Sequence, residues 1–475
     1  MKIKNDYRPK GWALHAHSEG RMKRSVCLLS LLCVAMAIAS GAQTYTALAN
    51  FDGVNGTRPL ASLVQGLDGK FYGTTFQGGP NNWGTVFKIS SAGELTTLYN
   101  FCEKTNCHDG DNPAAPLVLA TDGNFYGTTD GGGGPNHGVI FKITPAGKKT
   151  TLYSFCAHAR GRCGYGPGPS PLIQGTDGNF YGTSPSGASG GFIYKVTPQG
   201  SFTVLYIFTH FEGPDGALVQ ALDGNFYGTT YQGGTHGGGT VFKITPGGQL
   251  TTLYNFCSLT NCADGANPEG ALVQAANGIF YGTAGEGGAT NSGTVFKMTP
   301  EGQLTTIHSF CTQTGCPDGG NPVNLLQGPG GNFYGIATVV AFKITPMGKL
   351  TPLYTFDTDP NEITLGTDGK FYGNSEYGGT NKDGVVFSLA VGLGPFVETV
   401  PTSGNVGTIV NILGTKLTNA TSVSFNGTPA TFTVASGSEI TATVPTGATT
   451  GKVVVTTPEH KLSTNVVFRI TTVMP

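Results

Sequence analysis

Three segments of the chain carry the pattern Asp-Gly-x-Asn-Pro, each directly after a pair of cysteines. They begin at Asp109, Asp264 and Asp318. Carboxylate and amide oxygens are ligands that calcium prefers, so these aspartates are candidate calcium ligands. The alternative is a turn in which the Asp or Asn side chain binds its own backbone before the proline. A calcium ion takes about six to eight oxygens. No denser acidic run accompanies the pattern, so we favour the turn and expect no cofactor.

Catalytic motifs are scarce. The sequence has neither a Gly-x-Ser-x-Gly elbow nor a His-Glu-x-x-His helix, and its histidines are scattered. A pair of carboxylates could still cleave a glycan, because a fold can bring distant acids together. The candidates for that role are Asp109, Asp130, Glu286 and Glu376. We therefore expect a non-catalytic protein, with a secreted glycan-active hydrolase or lyase as the alternative.

Glycine-rich segments combine aromatic rings with amides and imidazoles, which suits stacking on sugars. The candidate ligand-binding residues are Asn81, Asn82, Trp83, His137, Tyr231 and His236. A phosphate cradle is excluded because no Lys-Ser/Thr pair follows these glycines. The alternative is that glycine makes wide turns and the polar side chains only face water.

Cysteine usage indicates an oxidising compartment. Two of the ten cysteines, Cys27 and Cys33, fall within the N-terminal apolar segment. The other eight form local pairs, which predicts disulfides rather than a zinc site with four converging ligands. The pairs are Cys102 with Cys107, Cys156 with Cys163, Cys257 with Cys262, and Cys311 with Cys316.

The N-terminus is typical of an export signal. Lys23 and Arg24 precede an apolar run from Val26 to Ala39, and cleavage is expected after Ala42. Residues 1–42 are thus predicted to be a leader and signal peptide, with Met22 as an alternative start. No later segment is predicted to cross a membrane, and the net charge of −1 gives no basis for nucleic-acid binding.

A repeat of 38 to 55 residues dominates the chain. The triplet Phe-Tyr-Gly begins at Phe71, Phe125, Phe180, Phe226, Phe280, Phe333 and Phe371. Each unit predicts four short strands, with Asp-Gly, Asn-Gly or Gly-Gly pairs suited to type I′ turns before the triplet. Glutamines on the first strand are predicted to form hydrogen bonds between units, with lining of the central channel as the alternative. These are Gln65, Gln174, Gln220, Gln274 and Gln327.

The last unit lacks its fourth strand, and residues 44–51 supply the missing pattern. We therefore expect a seven-bladed β-propeller over residues 43–391, closed by the N-terminal strand. The long loops then fall on one face and the tight turns on the other. Recognition is expected on the face that carries the long loops.

The repeat Leu-Val-Gln-x-x-Asp-Gly-Asn-Phe-Tyr-Gly-Thr-Thr, followed by Gly-Thr-Val-Phe-Lys-Ile-Thr-Pro-x-Gly, resembles the Gloeo-Verruco (GloVer) repeat of bacterial exported proteins. That resemblance implies an extracellular setting but no established chemistry. Residues 395–470 contain Pro401-Thr402-Ser403-Gly404 and Val423-Ser424-Phe425-Asn426-Gly427, and they resemble IPT/TIG immunoglobulin-like domains. Such domains serve as spacers or interaction modules.

These expectations describe an all-β chain: a propeller followed by an immunoglobulin-like β-sandwich. The predicted function is an exported binding or adhesion protein that contacts a glycan or protein partner, secreted or at the cell surface, and monomeric. A structural surface or matrix component is a further alternative.

Overall fold

Short strands joined by tight turns make up the described chain, as its glycine-rich and β-branched composition predicts. The computed structural model describes residues 43–134, 136–155, 170–185, 190–209, 213–214 and 216–471. The proposed leader, Cys156 and Cys163 lie outside the described residues. Within them, helical structure is confined to three 3-10 turns: Thr105–Cys107, Thr260–Cys262 and Pro329–Gly331.

The described residues of the repeat region build seven four-stranded antiparallel sheets. Strand β1 is Thr44–Asn50. Six sheets take four consecutive strands each: β2–β5 (Val64–Gln65, Phe71–Thr75, Thr85–Ile89, Leu95–Asn100), β6–β9 (Val118–Leu119, Phe125–Thr128, Val139–Ile143, Lys149–Ser154), β10–β13 (Ile173–Gln174, Phe180–Ser184, Phe192–Val196, Phe202–Ile207), β14–β17 (Val219–Gln220, Phe226–Thr230, Thr240–Ile244, Leu250–Asn255), β18–β21 (Val273–Gln274, Phe280–Ala284, Thr294–Met298, Leu304–Ser309) and β22–β25 (Pro322–Gln327, Phe333–Ala337, Val340–Ile344, Leu350–Thr355). The seventh contains β26–β28 (Pro360–Leu365, Lys370–Ser375, Val385–Ala390).

Strand β1 completes the seventh sheet. It runs antiparallel to β28, with Thr44 opposite Ala390 and Asn50 opposite Val385. The register shifts between Ala47 and Ala49. The same register shift occurs in the pairing of the third and fourth strands of each of the other six sheets. The N-terminal strand therefore takes the place of a fourth strand and closes the propeller, as the sequence predicts.

A belt of aromatic pairs joins each described sheet to the next. The tyrosine of one Phe-Tyr-Gly triplet packs on the phenylalanine of the following one, with ring centroids 3.8 to 5.2 Å apart. The pairs are Tyr72–Phe125, Tyr126–Phe180, Tyr181–Phe226, Tyr227–Phe280, Tyr281–Phe333, Tyr334–Phe371 and Tyr372–Phe71. Because the last pair returns to the first sheet, the sheets form a closed ring.

The hairpin before six of the seven triplets differs from the predicted type I′ turn, whereas Gly330 and Gly331 both have the positive φ that this turn requires (71° and 75°). Gly69 has φ +76°, but Asp68 is not left-handed. Asp68 instead accepts hydrogen bonds from the Lys70 amide (3.1 Å) and the Tyr72 hydroxyl (2.9 Å). The Gly66 amide donates to the Lys70 carbonyl (2.8 Å), so the connection is a three-residue hairpin closed by a left-handed glycine. The type I′ prediction is wrong at the Asp-Gly and Asn-Gly pairs.

Glutamines bind neighbouring sheets at this same end of the ring. The Gln65 side-chain oxygen accepts from the Thr367 amide (3.0 Å). Gln174, Gln220 and Gln274 accept from Thr121, Thr176 and Leu222 in the same way. The predicted hydrogen bonds between units are confirmed at these four positions. The Gln327 oxygen has no partner within the described part of the chain.

The C-terminal region is a β-sandwich. One sheet has the order β29-β31-β35-β34, the other β33-β32-β36-β37, and β30 pairs with β38. Val410, Ile412, Val423, Val455 and Phe468 lie in its core. The strands β29–β38 are Glu398–Val400, Ser403–Gly404, Ile409–Leu413, Ser422–Phe425, Thr428–Pro429, Phe432–Val434, Glu439–Thr443, Val453–Thr456, Lys461–Ser463 and Arg469–Ile470.

The sandwich covers the end of the ring that carries the three-residue hairpins, which we call the turn face. The Ser438 hydroxyl donates to the Leu67 carbonyl (2.8 Å), and the Arg469 guanidinium donates to the carbonyl of Ala221. Leu413 packs in one apolar cluster with Leu119. A cavity of about 420 Å³ lies between the turn face and the sandwich. The opposite end, which we call the loop face, carries the long connections between strands.

Candidate functional site

The cysteine-containing loops of the loop face are held by the aspartates that the sequence offered as calcium ligands. Asp109 accepts hydrogen bonds from the Tyr99 hydroxyl (2.6 Å) and from the amides of Glu103 and Lys104 (both 3.1 Å). Its oxygens are thus directed at donors of its own loop. This is the turn-capping arrangement that the sequence analysis set against calcium binding.

The two related loops repeat this geometry. Asp264 accepts from the Tyr254 hydroxyl (2.7 Å) and the Ser258 hydroxyl (2.8 Å), and Asp318 contacts His308 Nε2 (2.9 Å). Among the described residues, no group of three His, Cys, Asp or Glu side chains is placed to hold a metal ion.

Disulfides close three of the loop-face connections. The predicted bonds Cys102–Cys107, Cys257–Cys262 and Cys311–Cys316 are confirmed. The fourth predicted disulfide, between Cys156 and Cys163, is not confirmed and stays a prediction. The reason is that neither Cys156 nor Cys163 is among the residues that the structure describes.

The remaining acidic candidates lie apart from one another. Asp130 and Glu286 are exposed, on loops of different sheets. Glu376 forms an ion pair with Arg58, whose Nε lies 2.6 Å from the carboxylate. Sequence analysis missed Asp111, which is 5% exposed. Burial, and then the charges of Asp130 and Asp109, raise the pKa of Asp111 to about 6.

The aromatic and amide candidates lie on loops of three different sheets. Trp83 is 43% exposed, whereas Tyr231 is half-buried. The side-chain amide of Asn81 donates to the Phe101 and Cys102 carbonyls, so Asn81 ties its loop to the cysteine-containing loop of the same sheet. Asn82 holds its own loop by accepting from the Gly78 amide (3.1 Å). Two histidines complete the set, half-buried His137 and exposed His236.

A second exposed aromatic residue was missed by the sequence analysis. Tyr377 is 63% exposed, and it follows Glu376 on the loop of the seventh sheet. The Arg58 guanidinium lies 5.9 Å from the centre of the Tyr377 ring and 5.2 Å from that of Phe76. Because Glu376 also binds Arg58, this cation is fixed between the seventh and first sheets, beside an exposed ring.

A cavity of about 270 Å³ lies on the axis of the ring, near the loop face. All seven sheets contribute the residue that directly precedes a buried Leu or Ile in the first strand or just before it. These equivalent residues are Ser62, Pro116, Pro171, Ala217, Ala271, Asn324 and Glu362. Glu269 also lines the cavity. We call this space the axial cavity.

The seven equivalent positions of the axial cavity differ in polarity. Four of the equivalent positions are Pro or Ala, whereas three neighbouring sheets supply Asn324, Glu362 and Ser62. Aligning the repeats at this position would have found the departure. Sequence analysis missed it because the position lies just before the strand pattern that defines the repeat.

The polar side of the axial cavity carries unsatisfied chemistry. Burial raises the pKa of the Glu362 carboxyl above its ordinary value, and a hydrogen bond from Ser62 opposes this shift. The Asn324 side-chain oxygen is buried and has no hydrogen-bond partner among the residues that the structure describes. Buried acceptors without donors are costly, so a donor beside this oxygen would be favourable.

None of the helices in the described chain is long and apolar enough to span a membrane.

Comparison with known proteins gives family matches for both regions. The Gloeobacter/Verrucomicrobia repeat matches residues 34–167 and 163–340, and the IPT/TIG domain matches residues 396–470. Comparison with curated proteins finds no match.

Two solved structures support the propeller fold. A streptogramin B lyase is 17% identical and has a TM-score of 0.51, over 75% of this chain and 100% of that chain. The extracellular domain of a protein assigned to a hybrid two-component system of B. thetaiotaomicron is 10% identical, with a TM-score of 0.50. That match covers 91% of this chain and 60% of that chain.

The repeat propeller, the TIG domain and the disulfides together fit an extracellular or surface protein. The repeat matches cover more than half of the sequence, in the segments that form the ring. The chain belongs to the Gloeobacter/Verrucomicrobia repeat family.

Proposed function

We propose that this protein is an exported binding protein whose loop face contacts an extracellular glycan. The observation that carries this proposal is the exposure of Tyr377 (63%) and Trp83 (43%) on that face. A tyrosine or tryptophan ring offers a sugar a flat apolar surface together with a polar atom at its edge. In contrast, the triplet tyrosines are at most 3% exposed and belong to the scaffold.

Arg58 makes the aromatic surface more selective. Its guanidinium is held by Glu376 and lies near both Phe76 and Tyr377. A fixed guanidinium presents several donors at little entropic cost, which suits sugar hydroxyls or a sugar carboxylate.

The covered turn face supports the same assignment, because a large partner meets the loop face unobstructed by the sandwich. The proposed organisation is a leader over residues 1–42, a propeller over residues 43–391 and a TIG domain over residues 395–470. The disulfides and the family are consistent with export.

The test is retention of residues 43–475 on a glycan array. We expect Tyr377→Ala and Trp83→Ala to lower retention at least about tenfold, because each removes an exposed stacking ring. Met347→Ala is the matched control, since Met347 is 84% exposed in a three-residue connection between strands. The proposal fails if nothing is retained, or if the aromatic variants bind as well as the control.

A glycan-active hydrolase is the competing proposal. The observation in its favour is that Glu269 and Glu362 line one cavity, and glycosidases use two carboxyl groups. The assay is release of reducing sugar from any glycan that the array retains. Release that disappears in Glu362→Gln would replace the binding proposal.

A further inference from the structure

We propose that the axial cavity binds a small organic ammonium ion, with its charged group held by Glu362, Asn324 and Ser62. Its apolar body would pack on the proline and alanine residues of the opposite side, where Glu269 also lines the cavity. This inference does not rest on the glycan proposal, because Trp83, Tyr377 and Arg58 are absent from the cavity lining.

The position of the polar residues within the repeat is the first argument. Seven equivalent positions line the axial cavity, and four of them are Pro or Ala. The other three lie on the sixth, seventh and first sheets, which are consecutive in the closed ring. A purely structural channel has no need for three neighbouring polar side chains, so their grouping indicates a ligand with one polar end.

The number and kind of free polar atoms is the second argument. Ser62 donates a hydrogen bond to Glu362, and none of the ion pairs found in the described residues includes this carboxylate. The Asn324 oxygen accepts no hydrogen bond there either. An ammonium group carries three donors and one positive charge. It would satisfy the Glu362 carboxylate, the Asn324 oxygen and the Ser62 hydroxyl oxygen together.

The size and opposite wall of the axial cavity are the third argument. Its volume of about 270 Å³ lies just below the range of about 300–1,000 Å³ for drug-sized ligands, so the ligand is small. Pro116, Pro171, Ala217 and Ala271 offer no polar side-chain atom, so they favour an apolar body over a polyol. A calcium ion would need about six oxygens, more than the polar side provides.

The experiment is titration calorimetry of residues 43–475 at constant ionic strength. The probe is cyclohexylammonium chloride, compared with cyclohexanol, sodium cyclohexanecarboxylate and calcium chloride. We expect cyclohexylammonium to bind at least about tenfold more tightly than cyclohexanol, because only the cation pairs with Glu362. The proposal is overturned if the alcohol binds equally well, if calcium alone binds, or if no probe binds.

Variants place the binding event in the cavity. Glu362→Gln and Asn324→Leu should each weaken cyclohexylammonium binding at least about tenfold. Glu286→Gln is the matched control, because it removes an exposed loop-face carboxylate outside the cavity, and it should change affinity less than about twofold.

A second variant keeps the test decisive if Glu362→Gln fails to fold. Ala271→Phe fills the cavity from its apolar side and should abolish binding while Glu362 is retained. Unchanged affinity in Ala271→Phe, or in both polar variants, would place the bound cation elsewhere and refute the proposal. If Tyr377→Ala loses glycan retention but still binds cyclohexylammonium, the two sites are independent of each other.

Discussion

The turn face and the loop face are built from the same repeat, yet they differ in how regularly their side chains recur. On the turn face, Asp68 binds Tyr72 and Gln65 binds the Thr367 amide of the neighbouring sheet, and most other sheets repeat these contacts. On the loop face, Tyr377 is exposed, and Asn324 and Glu362 replace the Pro or Ala of equivalent positions. The difference indicates that one end of each sheet holds the ring together while the other is free to recognise ligands.

The length of the connections explains this division. The turn-face hairpins join paired strands through three residues, so their geometry is fixed and their side chains repeat. Most loop-face connections are longer, so their residues can vary without disturbing the core. Substitutions should therefore affect stability at one end of the ring and binding at the other.

The largest difference in stability is expected between two tyrosines at opposite ends of the ring, one buried and one exposed. Tyr181 packs 4.1 Å from Phe226, centroid to centroid, and its hydroxyl lies 2.8 Å from Asp177. Tyr181→Ala should lower the free energy of unfolding by about 3–5 kcal/mol in urea denaturation, because it leaves a cavity between two sheets. Tyr377→Ala should lower it by less than about 0.5 kcal/mol. Equal losses would erase the distinction between the two faces.

An intermediate effect is expected at a turn-face aspartate. Asp223 is partly buried, which raises its pKa, but hydrogen bonds from Asn225, Lys243 and Tyr227 outweigh this and hold the pKa below 3.8. Asp223→Ala should cost about 1–2 kcal/mol at pH 7, since it leaves the Tyr227 hydroxyl without its acceptor.

Measuring the free energy of unfolding at acidic pH tests this account of Asp223. Because its folded pKa is lowered, its contribution is present above pH 3.8 and is lost as pH falls through the folded pKa. The difference between wild type and Asp223→Ala should therefore shrink on acidification. A difference that stays constant down to pH 2 would show that the carboxylate charge is not what stabilises the turn.

The smallest effect has the opposite sign and belongs to the loop face. Burial and the nearby Asp130 and Asp109 raise the pKa of Asp111 from 3.8 to about 6. Ionisation of Asp111 therefore lowers the free energy of unfolding. That free energy is greatest below pH 3.8 and declines as the pH rises to about 6. Asp111→Asn should be more stable than wild type at pH 7 and equal to it at pH 3. Thermal unfolding at both values measures this, and a less stable variant at pH 7 would contradict the account.

Much of the scaffold was predictable because its signals repeat. The Phe-Tyr-Gly triplet, the glutamines and the cysteine pairs each recur at similar positions in the unit, so one interpretation could be checked against the other copies. Strand β1 was predictable for the same reason, since residues 44–51 copy the fourth strand. The turn type was not, because the bond from Tyr72 to Asp68 that fixes the Asp68 conformation is invisible in a dipeptide pattern.

The candidate sites were harder to predict because they depart from the repeat. Glu362 and Asn324 become neighbours of Ser62 only when the ring closes, because both lie about 300 residues after Ser62 in the sequence. Tyr377 gains its significance from Arg58, which belongs to the sheet at the other end of the chain. Both proposed sites therefore depend on contacts across the closure, which single-unit patterns do not contain.

Hydrogen–deuterium exchange on residues 43–475, with and without the glycan retained on the array, tests the division of the two faces most directly. We predict slower exchange in the loop-face segments 76–84 and 376–384, and no change in the turn-face hairpins 66–70 and 221–225. Slower exchange in those hairpins or in the C-terminal sandwich, with none in the loops, would contradict the account.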